Sequence, residues 1–164
     1  MMRIGHGMDA HRLVEGRALI LCGVCVPHDK GLLGHSDADV ATHALMDALR
    51  GAAALGDIGK FFPDTEERYR GACSLDLLDA VLQALAEKNL APVNVDVTVV
   101  AQRPKLRPYI DLMRQTLAGR LRLPVDCVSV KATTTEKMGF EGEELGISAH
   151  AVCLLETAPA ENAP

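Results

Sequence analysis

Arg3-Ile4-Gly5-His6-Gly7-Met8-Asp9-Ala10-His11 is the stretch whose reading decides the fold of this chain. Successive side chains of a strand point to opposite faces, so Ile4, His6, Met8 and Ala10 share one face while Arg3, Gly5, Gly7, Asp9 and His11 share the other. The first face is expected to be core. The second reads as a site, with glycines that let something large lie against the backbone. Asp9 and His11, two residues apart, are placed to grip one ion together.

A third ligand comes from the segment that follows. A helix is expected over residues 37–54, opened by Ser36 with Asp39 three residues later as a capping-box-like pair. Its apolar positions are Val40, Ala41, Ala44, Leu45, Ala48, Leu49 and Ala52, and Asp39, His43 and Asp47 stand four apart on one stripe. One carboxylate oxygen and two imidazole nitrogens from Asp9, His11 and His43 suit zinc, with a fourth position open to water or substrate as in a catalytic centre. Asp-x-His triplets also arise by chance, and a single helical histidine commonly serves as a buried hydrogen-bonding residue, so spacing alone leaves both readings open.

With 164 residues and 48% hydrophobic content the chain can bury a core and fits one domain, expected over residues 1–156. The Ala/Pro segment 157–164 is expected to be a disordered tail. Aromatic residues make up 3% with no Trp, and the net charge is -5. Base-stacking platforms and a polyanion-binding surface are therefore excluded, and no nucleic-acid partner is expected. Of five cysteines, Cys22, Cys25, Cys127 and Cys153 sit in apolar strand-like surroundings, which fits buried, reduced thiols. The chain opens on a strand without a signal-like segment, and no apolar run nears the about 20 residues of a membrane span. A cytoplasmic protein with no membrane partner is expected.

The coarse pattern runs as a strand over 2–10, a hairpin over 17–27, the helix just described, and a Gly/Pro/Asp-rich loop from Gly56 to Thr65. A second helix follows from Ser74 to Asn89 with Leu75, Leu78, Val81, Leu82 and Leu85 inward. Val93, Val95, Val97 and Val99 alternate as a strand; Pro104 and Pro108 lead into a third helix ending near Leu121; two strands, Cys127–Ala132 and Ile147–Glu156, close the chain. This order predicts an α+β two-layer sandwich, one mixed sheet with helices on one face. The other sheet face would be apolar, which predicts self-association.

Three loops carry more polar groups than turns require. Gly34-His35-Ser36 precedes the first helix, whose positive end favours an anion, although simple capping explains Ser36 equally well. Gly56-Asp57-Ile58-Gly59-Lys60 leads into Phe62-Pro63-Asp64-Thr65-Glu66. Lys131-Ala132-Thr133-Thr134-Thr135-Glu136-Lys137 ends a strand with hydroxyl donors for phosphate oxygens and a hard oxygen ligand for magnesium.

Taken in order, Arg3 to His11, His35-Ser36-Asp37-Ala38-Asp39-Val40, Gly56 to Lys60, Phe62 to Thr65 and Lys131 to Phe140 closely resemble the 2-C-methyl-D-erythritol 2,4-cyclodiphosphate synthase family. The resemblance spans Arg3 to about Leu155. It implies an intramolecular phosphoryl transfer: 4-diphosphocytidyl-2-C-methyl-D-erythritol 2-phosphate attacks its own β-phosphorus and expels CMP. By the same resemblance Asp9, His11 and His43 hold zinc, and Glu136 holds a Mg2+ or Mn2+ that bridges the diphosphate. His35 and Thr134 steady the reacting phosphates; Ser36, Asp57, Ile58 and Gly59 take the methylerythritol portion. Ala101, Gln102, Arg103, Pro104, Lys105, Leu106 and Arg107 read the cytidine, with Lys105 near the phosphates and Thr133, Thr134 and Thr135 close by. Phe62, Pro63, Asp64, Thr65, Glu66 and Phe140 complete the substrate contacts. The family forms homotrimers, sheets packed around a three-fold axis and active sites between subunits.

There are departures from the family pattern. Glu143 stands where many members carry an arginine linked to a central cavity that accepts an isoprenoid diphosphate, and His150 where they carry an acidic residue. Glu66 replaces an aspartate. His6 and His28 read as structural. Two rival functions, a zinc-dependent nucleotide-diphosphate hydrolase and a non-catalytic trimeric binding protein, differ from the cyclase in their products.

Overall fold

In the computed structural model, which describes residues 1–157, the opening strand β1 (Met2–Glu15) alternates as expected but with its faces exchanged. Gly5, Gly7 and Leu13 are buried, with Arg3, Asp9 and His11 half-buried beside them; Ile4, His6, Met8 and Ala10 face out. The cause is helix α1 (Val40–Ala52), which lies directly on the glycines. A Cβ on Gly5 would fall 1.9 Å from the Ala48 carbonyl oxygen, and one on Gly7 2.0 Å from that of Ala44, so only glycine admits the helix at this distance. The large object against the glycine backbone is the chain's own helix. Core and site share one face.

The main sheet has five strands in the order β4-β1-β7-β5-β6: β4 (Lys30–Leu32), β1, β7 (Gly146–Thr157), β5 (Leu90–Val100) and β6 (Val128–Thr133). β7 runs antiparallel to β1 from Met2↔Glu156 to Arg12↔Gly146 and antiparallel to β5 on its other side. β5 and β6 are parallel, which requires a crossover, and helix α4 (Ile110–Leu121) supplies it. A separate hairpin joins β2 (Leu19–Leu21) and β3 (Val24–Val26). Helix α3 (Ser74–Ala86) packs on α1 and β5, and α4 on β6, so the helical layer covers one sheet face as the sequence predicts. Between the layers lie Val95, Val97 and Val99 of β5, Ile147 and Leu155 of β7, and the alanine-rich side of α1, whose Ala41, Ala44 and Ala48 allow close approach.

α1 begins later than expected. Its N-cap is Asp39, fully buried, whose carboxylate accepts hydrogen bonds from Thr42 N (3.0 Å), Thr42 Oγ1 (2.7 Å), Cys22 N (2.9 Å) and Gly23 N (2.6 Å). One side chain thus stitches the β2–β3 turn to the helix start. Instead of a capping box, residues 36–39 form turns in which Ser36 Oγ accepts from Ala38 N and Asp37 Oδ1 from Asp39 N, both at 3.2 Å. The anion place expected at this helix end is therefore filled by the chain's own carboxylate.

Smaller corrections follow from burial. Cys22 and Cys153 are buried and Cys127 is half-buried, but Cys25, expected inside, is exposed like Cys73; all five are free thiols. Thr157, expected to open the tail, ends β7 and donates its N–H to the Met1 carbonyl (3.1 Å). The rest of the expected tail, 158–164, lies outside the described residues. Among the described residues no helix is long and apolar enough to cross a membrane.

Gly7→Ala is expected to destabilise the protein by at least about 2 kcal/mol, because the helix backbone cannot retreat without losing its contacts. Gly51→Ala, whose new Cβ would meet nothing nearer than the His6 oxygen at 3.9 Å, is expected to be neutral or to stabilise by about 0.5–1 kcal/mol. Urea denaturation of the two variants beside the parent protein checks both.

Candidate active site

Because α1 rests on β1, one turn of the helix places His43 over the end of the glycine face. His43 Nδ1 lies 3.0 Å from Asp9 Oδ2 and 3.2 Å from His11 Nε2, and the latter two atoms are 2.9 Å apart. The three donors form a nearly equilateral triangle, and they are the metal-competent group of three among the described residues. A tetrahedral ion with bonds of about 2.0–2.1 Å needs ligand edges of about 3.3 Å, so small shifts of the side chains suffice to hold zinc. The donor set, one carboxylate and two imidazoles, leaves a fourth direction free.

The charges agree with that use. Burial alone would raise the Asp9 carboxyl, but hydrogen bonds from His11 and His43 and their attraction outweigh it and hold the group far below the usual carboxylate range. Burial would likewise lower His11, yet the hydrogen bond and attraction from Asp9 prevail and raise it. Without a metal the site holds protons where a cation would sit.

The loops predicted to hold substrate are anchored around the triad. His35 donates from Nε2 to the Glu66 carbonyl (3.1 Å), and its own carbonyl accepts from Gly71 N (2.8 Å). Arg17 reaches the carbonyls of Gly34 (3.2 Å) and Ser36 (2.7 Å). The Ser36 hydroxyl is turned inward, 3.2 Å from His43 Nε2. Farther along α1, Asp47 accepts from Ile58 N (2.7 Å), and buried Arg50 donates to the carbonyls of Leu55 (2.5 Å) and Asp57 (3.1 Å). These bonds fix the start of the short helix α2 (Ile58–Phe61), which Asp57 caps through Lys60 N (2.8 Å). Phe62 packs edge-on against Tyr69 beside the Pro63–Glu66 segment, where Glu66 pairs with Arg68 (2.5 Å).

A second set lines a cleft of about 1130 Å³ formed by residues 101–107, Val130 to Thr134, Ile110, Asp111 and His28. It includes the expected cytidine residues Ala101 to Arg107, Thr133 and Thr134, together with His28, which the sequence suggested was merely structural. Thr134 Oγ1 donates to Glu136 Oε1 (3.0 Å), so the hydroxyl and the carboxylate are linked, and Lys137 N donates to Gln102 Oε1 (3.2 Å). Thr135 hydrogen-bonds the Met138 carbonyl, and Phe140, in the short helix α5 (Gly139–Gly142), lies against Gly146. Asp9 and Val99 both pair with Ala149, so triad and cleft lie at the same end of the sheet, yet no triad residue lines the cleft.

Residues 2–156 match the model of the YgbB family. The 2-C-methyl-D-erythritol 2,4-cyclodiphosphate synthase of Desulfitobacterium hafniense is 60% identical over 157 residues, covering 95% of this chain and 99% of that protein. The chain belongs to this family. Among solved structures, a 2-C-methyl-D-erythritol 2,4-cyclodiphosphate synthase in its CDP-bound form superposes with a TM-score of 0.87 at 40% identity, over 94% of this chain and all of that one. The bifunctional IspDF from Campylobacter jejuni gives 0.92 at 39% identity over 96% of this chain, which corresponds to 42% of that longer protein.

Several contributors escaped the sequence reading: Arg17, Arg50, Asp37, Ser74 and His28. Arg50 carries no sequence signal for its role as a carbonyl clamp beyond its place shortly before the Gly/Asp-rich loop. Glu143 is exposed just after α5, and His150 is exposed and stacked on His6, with ring centroids 5.6 Å apart.

The pH dependence of the metal-free site follows from the two shifts. The raised His11 contributes stability that is present below 6.5 and lost as pH rises through its folded value; the depressed Asp9 contributes stability present above 3.8 and lost as pH falls toward its folded value. The metal-free pair is thus strongest between these limits, and Zn2+ must displace the His11 proton there. Scanning calorimetry should show that the rise in Tm on adding Zn2+ grows from pH 5.5 to pH 8; an increment independent of pH would contradict the assignment.

Proposed function

We infer that this chain converts 4-diphosphocytidyl-2-C-methyl-D-erythritol 2-phosphate into the 2,4-cyclodiphosphate and CMP, a step of isoprenoid biosynthesis and the reaction of the family to which it belongs. The observation that carries the inference is the Asp9–His11–His43 triangle, set among loops that match the family in order. A 2-phosphate oxygen of the substrate forms the new bond to the β-phosphorus while the bond from that phosphorus to the CMP oxygen breaks, and the electron pair leaves with CMP. Because the nucleophile belongs to the substrate, the protein's task is positioning and charge neutralisation, and no strong base is required. That makes the enzyme a cyclising phosphorus-oxygen lyase.

Zinc on Asp9, His11 and His43, and Mg2+ or Mn2+ on Glu136, would supply Lewis-acid polarisation and charge neutralisation at phosphoryl oxygens. The remaining roles fall to side chains. His35 already donates from Nε2 to the Glu66 carbonyl, so it meets a phosphate through its other ring nitrogen. Thr134, whose hydroxyl donates to Glu136 in this structure, would be free to turn it toward the phosphate were that carboxylate to hold a cation. Ser36 and the anchored Asp57-Ile58-Gly59 turn bound the methylerythritol. The 101–107 loop, with Lys105 near the phosphates, encloses the cytidine.

The proposed assembly is a homotrimer in which the triad of one subunit faces the nucleotide cleft of the next, in the cytoplasm. Two features support it: triad and cleft do not meet within one chain, and the outer sheet face leaves Ile4 75%, Met8 48% and Val152 39% exposed. At the three-fold axis the acidic Glu143 would repel a diphosphate, so isoprenoid diphosphates are expected to bind weakly. Calorimetric titration with geranyl diphosphate while CDP blocks the active site checks this; tight binding would refute it.

Phosphorus NMR of the products tests the activity itself, since the cyclase gives a cyclic diphosphate and CMP whereas a hydrolase releases open phosphates and a binding protein gives nothing. His43→Ala is expected to empty the zinc site and abolish ring closure. Glu136→Gln is expected to keep zinc, by elemental analysis, and lose at least about 100-fold in kcat.

A further inference from the structure

We propose that Ser74, oriented by Asp37, is a positioning residue that keeps a proton on His43 Nε2 and so leaves Nδ1 as the metal-ligating nitrogen; this deepens the zinc assignment above and rests on it. Ser74 is the first residue of α3 and has no accessible surface. Its Oγ lies 2.9 Å from His43 Nε2. The same oxygen is hydrogen-bonded to Asp37 Oδ1, and the Ser74 N–H donates to Asp37 Oδ2 at 2.9 Å.

The direction of each hydrogen bond follows from what the groups can do. A carboxylate only accepts, so the Ser74 hydroxyl proton points to Asp37. The serine then shows lone pairs to His43, and the proton between them has to come from Nε2. Ser36 Oγ, 3.2 Å from the same nitrogen and already accepting from Ala38 N, adds a second acceptor on that side. At the opposite end of the ring Nδ1 faces Asp9 Oδ2 and His11 Nε2. With Nε2 held as N–H, the nitrogen left to coordinate an incoming cation is Nδ1, inside the triangle of donors, where the cation replaces the proton that Nδ1 donates to Asp9. Outer hydrogen bonds of this kind fix the tautomer and orientation of a ligating histidine.

Asp37 is itself fixed. Its N–H donates to the Ala72 carbonyl at 3.0 Å and its Oδ1 accepts from Asp39 N, so the carboxylate aims at the start of α3 whether or not the triad is filled. The turn before α1, α1 itself and the first residue of α3, 31 residues on from His43, therefore converge on one imidazole. Neither Ser74 nor Asp37 contacts substrate in the function proposed above.

The test reads the proton directly. Histidine-15N NMR of the wild-type protein, metal-free and loaded with Zn2+, is expected to show His43 Nε2 protonated in both states while Nδ1 changes. Ser74→Ala is expected to weaken Zn2+ affinity by about 10–100-fold, measured by competition with a chromophoric chelator, with the metal-free protein still folded by circular dichroism. An unprotonated Nε2 in wild-type protein, or unchanged Zn2+ affinity in a folded Ser74→Ala variant, overturns the proposal. If Ser74→Ala does not fold, the wild-type spectrum decides alone. Zinc binding with Nε2 protonated but no cyclic diphosphate among the products would refute the inferred reaction and leave this proposal standing; cyclisation with a bare Nε2 would do the reverse.

Discussion

Helix α1 lies so close to strand β1 that two glycines are required between them, and the position of the metal-competent triad depends on that contact. Two residues of strand advance about 6.6 Å and four residues of helix about 6 Å, so an antiparallel strand and helix in contact stay nearly in step. Gly5 meets Ala48 and Gly7 meets Ala44, one helical turn earlier. The next same-facing strand residue is Asp9, and the next helical group in reach is His43. A chain that fits its helix onto its first strand therefore assembles the metal-competent group as a by-product of core packing, and pushing the helix outward would spread the donors.

Acidic side chains act as struts around this contact. Asp39 and Asp47 lie one turn before and one turn after His43 on the stripe visible in the sequence, but neither joins the triad. Asp39 ties the β2–β3 turn to the helix start, and Asp47 with Arg50 ties the Leu55–Ile58 turn to the helix end. Burial raises Asp39 despite its hydrogen bonds from Thr42 and Gly23, which lower it and make the ionised form tolerable. The helix thus holds the loops on either side of the ion site in register with it.

Alternation in β1 and β5, the leucine spacing of α3 and the hairpin between Leu19 and Val26 were legible, because period and turn chemistry are local. Which face of β1 is buried was not. Glycine carries no side chain to mark an inside, and Gly5 and Gly7 fit equally a ligand or a helix at the backbone. The N-terminus of α1 was misplaced for a related reason: Ser36 and Asp39 satisfy the capping-box pattern, whereas Asp39 receives its decisive partners, Cys22 and Gly23, from a distant turn. The triad was legible since two of its members are neighbours on one strand. Ser74 was hidden, 31 residues from His43 and indistinguishable in sequence from a serine opening a helix.

One chain carries both the metal-competent triad and the cleft but does not join them, and the sheet shows why. Asp9 and Val99 share Ala149 as a pairing partner, so the triad and the cleft-lining loop after β5 begin only about 10 Å apart across β7. Yet Asp9 and His11 point into the helical layer, while the cleft opens along the β6 edge of the sheet. A substrate spanning both would have to cross the packed strand between them. In the proposed trimer, rotation of a second subunit about an axis beside the outer sheet face would remove that obstacle by bringing its cleft edge to the first subunit's triad. The same rotation would cover the exposed Ile4, Met8 and Val152, while the Lys131–Asp96 ion pair lies toward the β6 edge of that face. Burying the apolar strip and completing the site are, in the proposed trimer, consequences of one association.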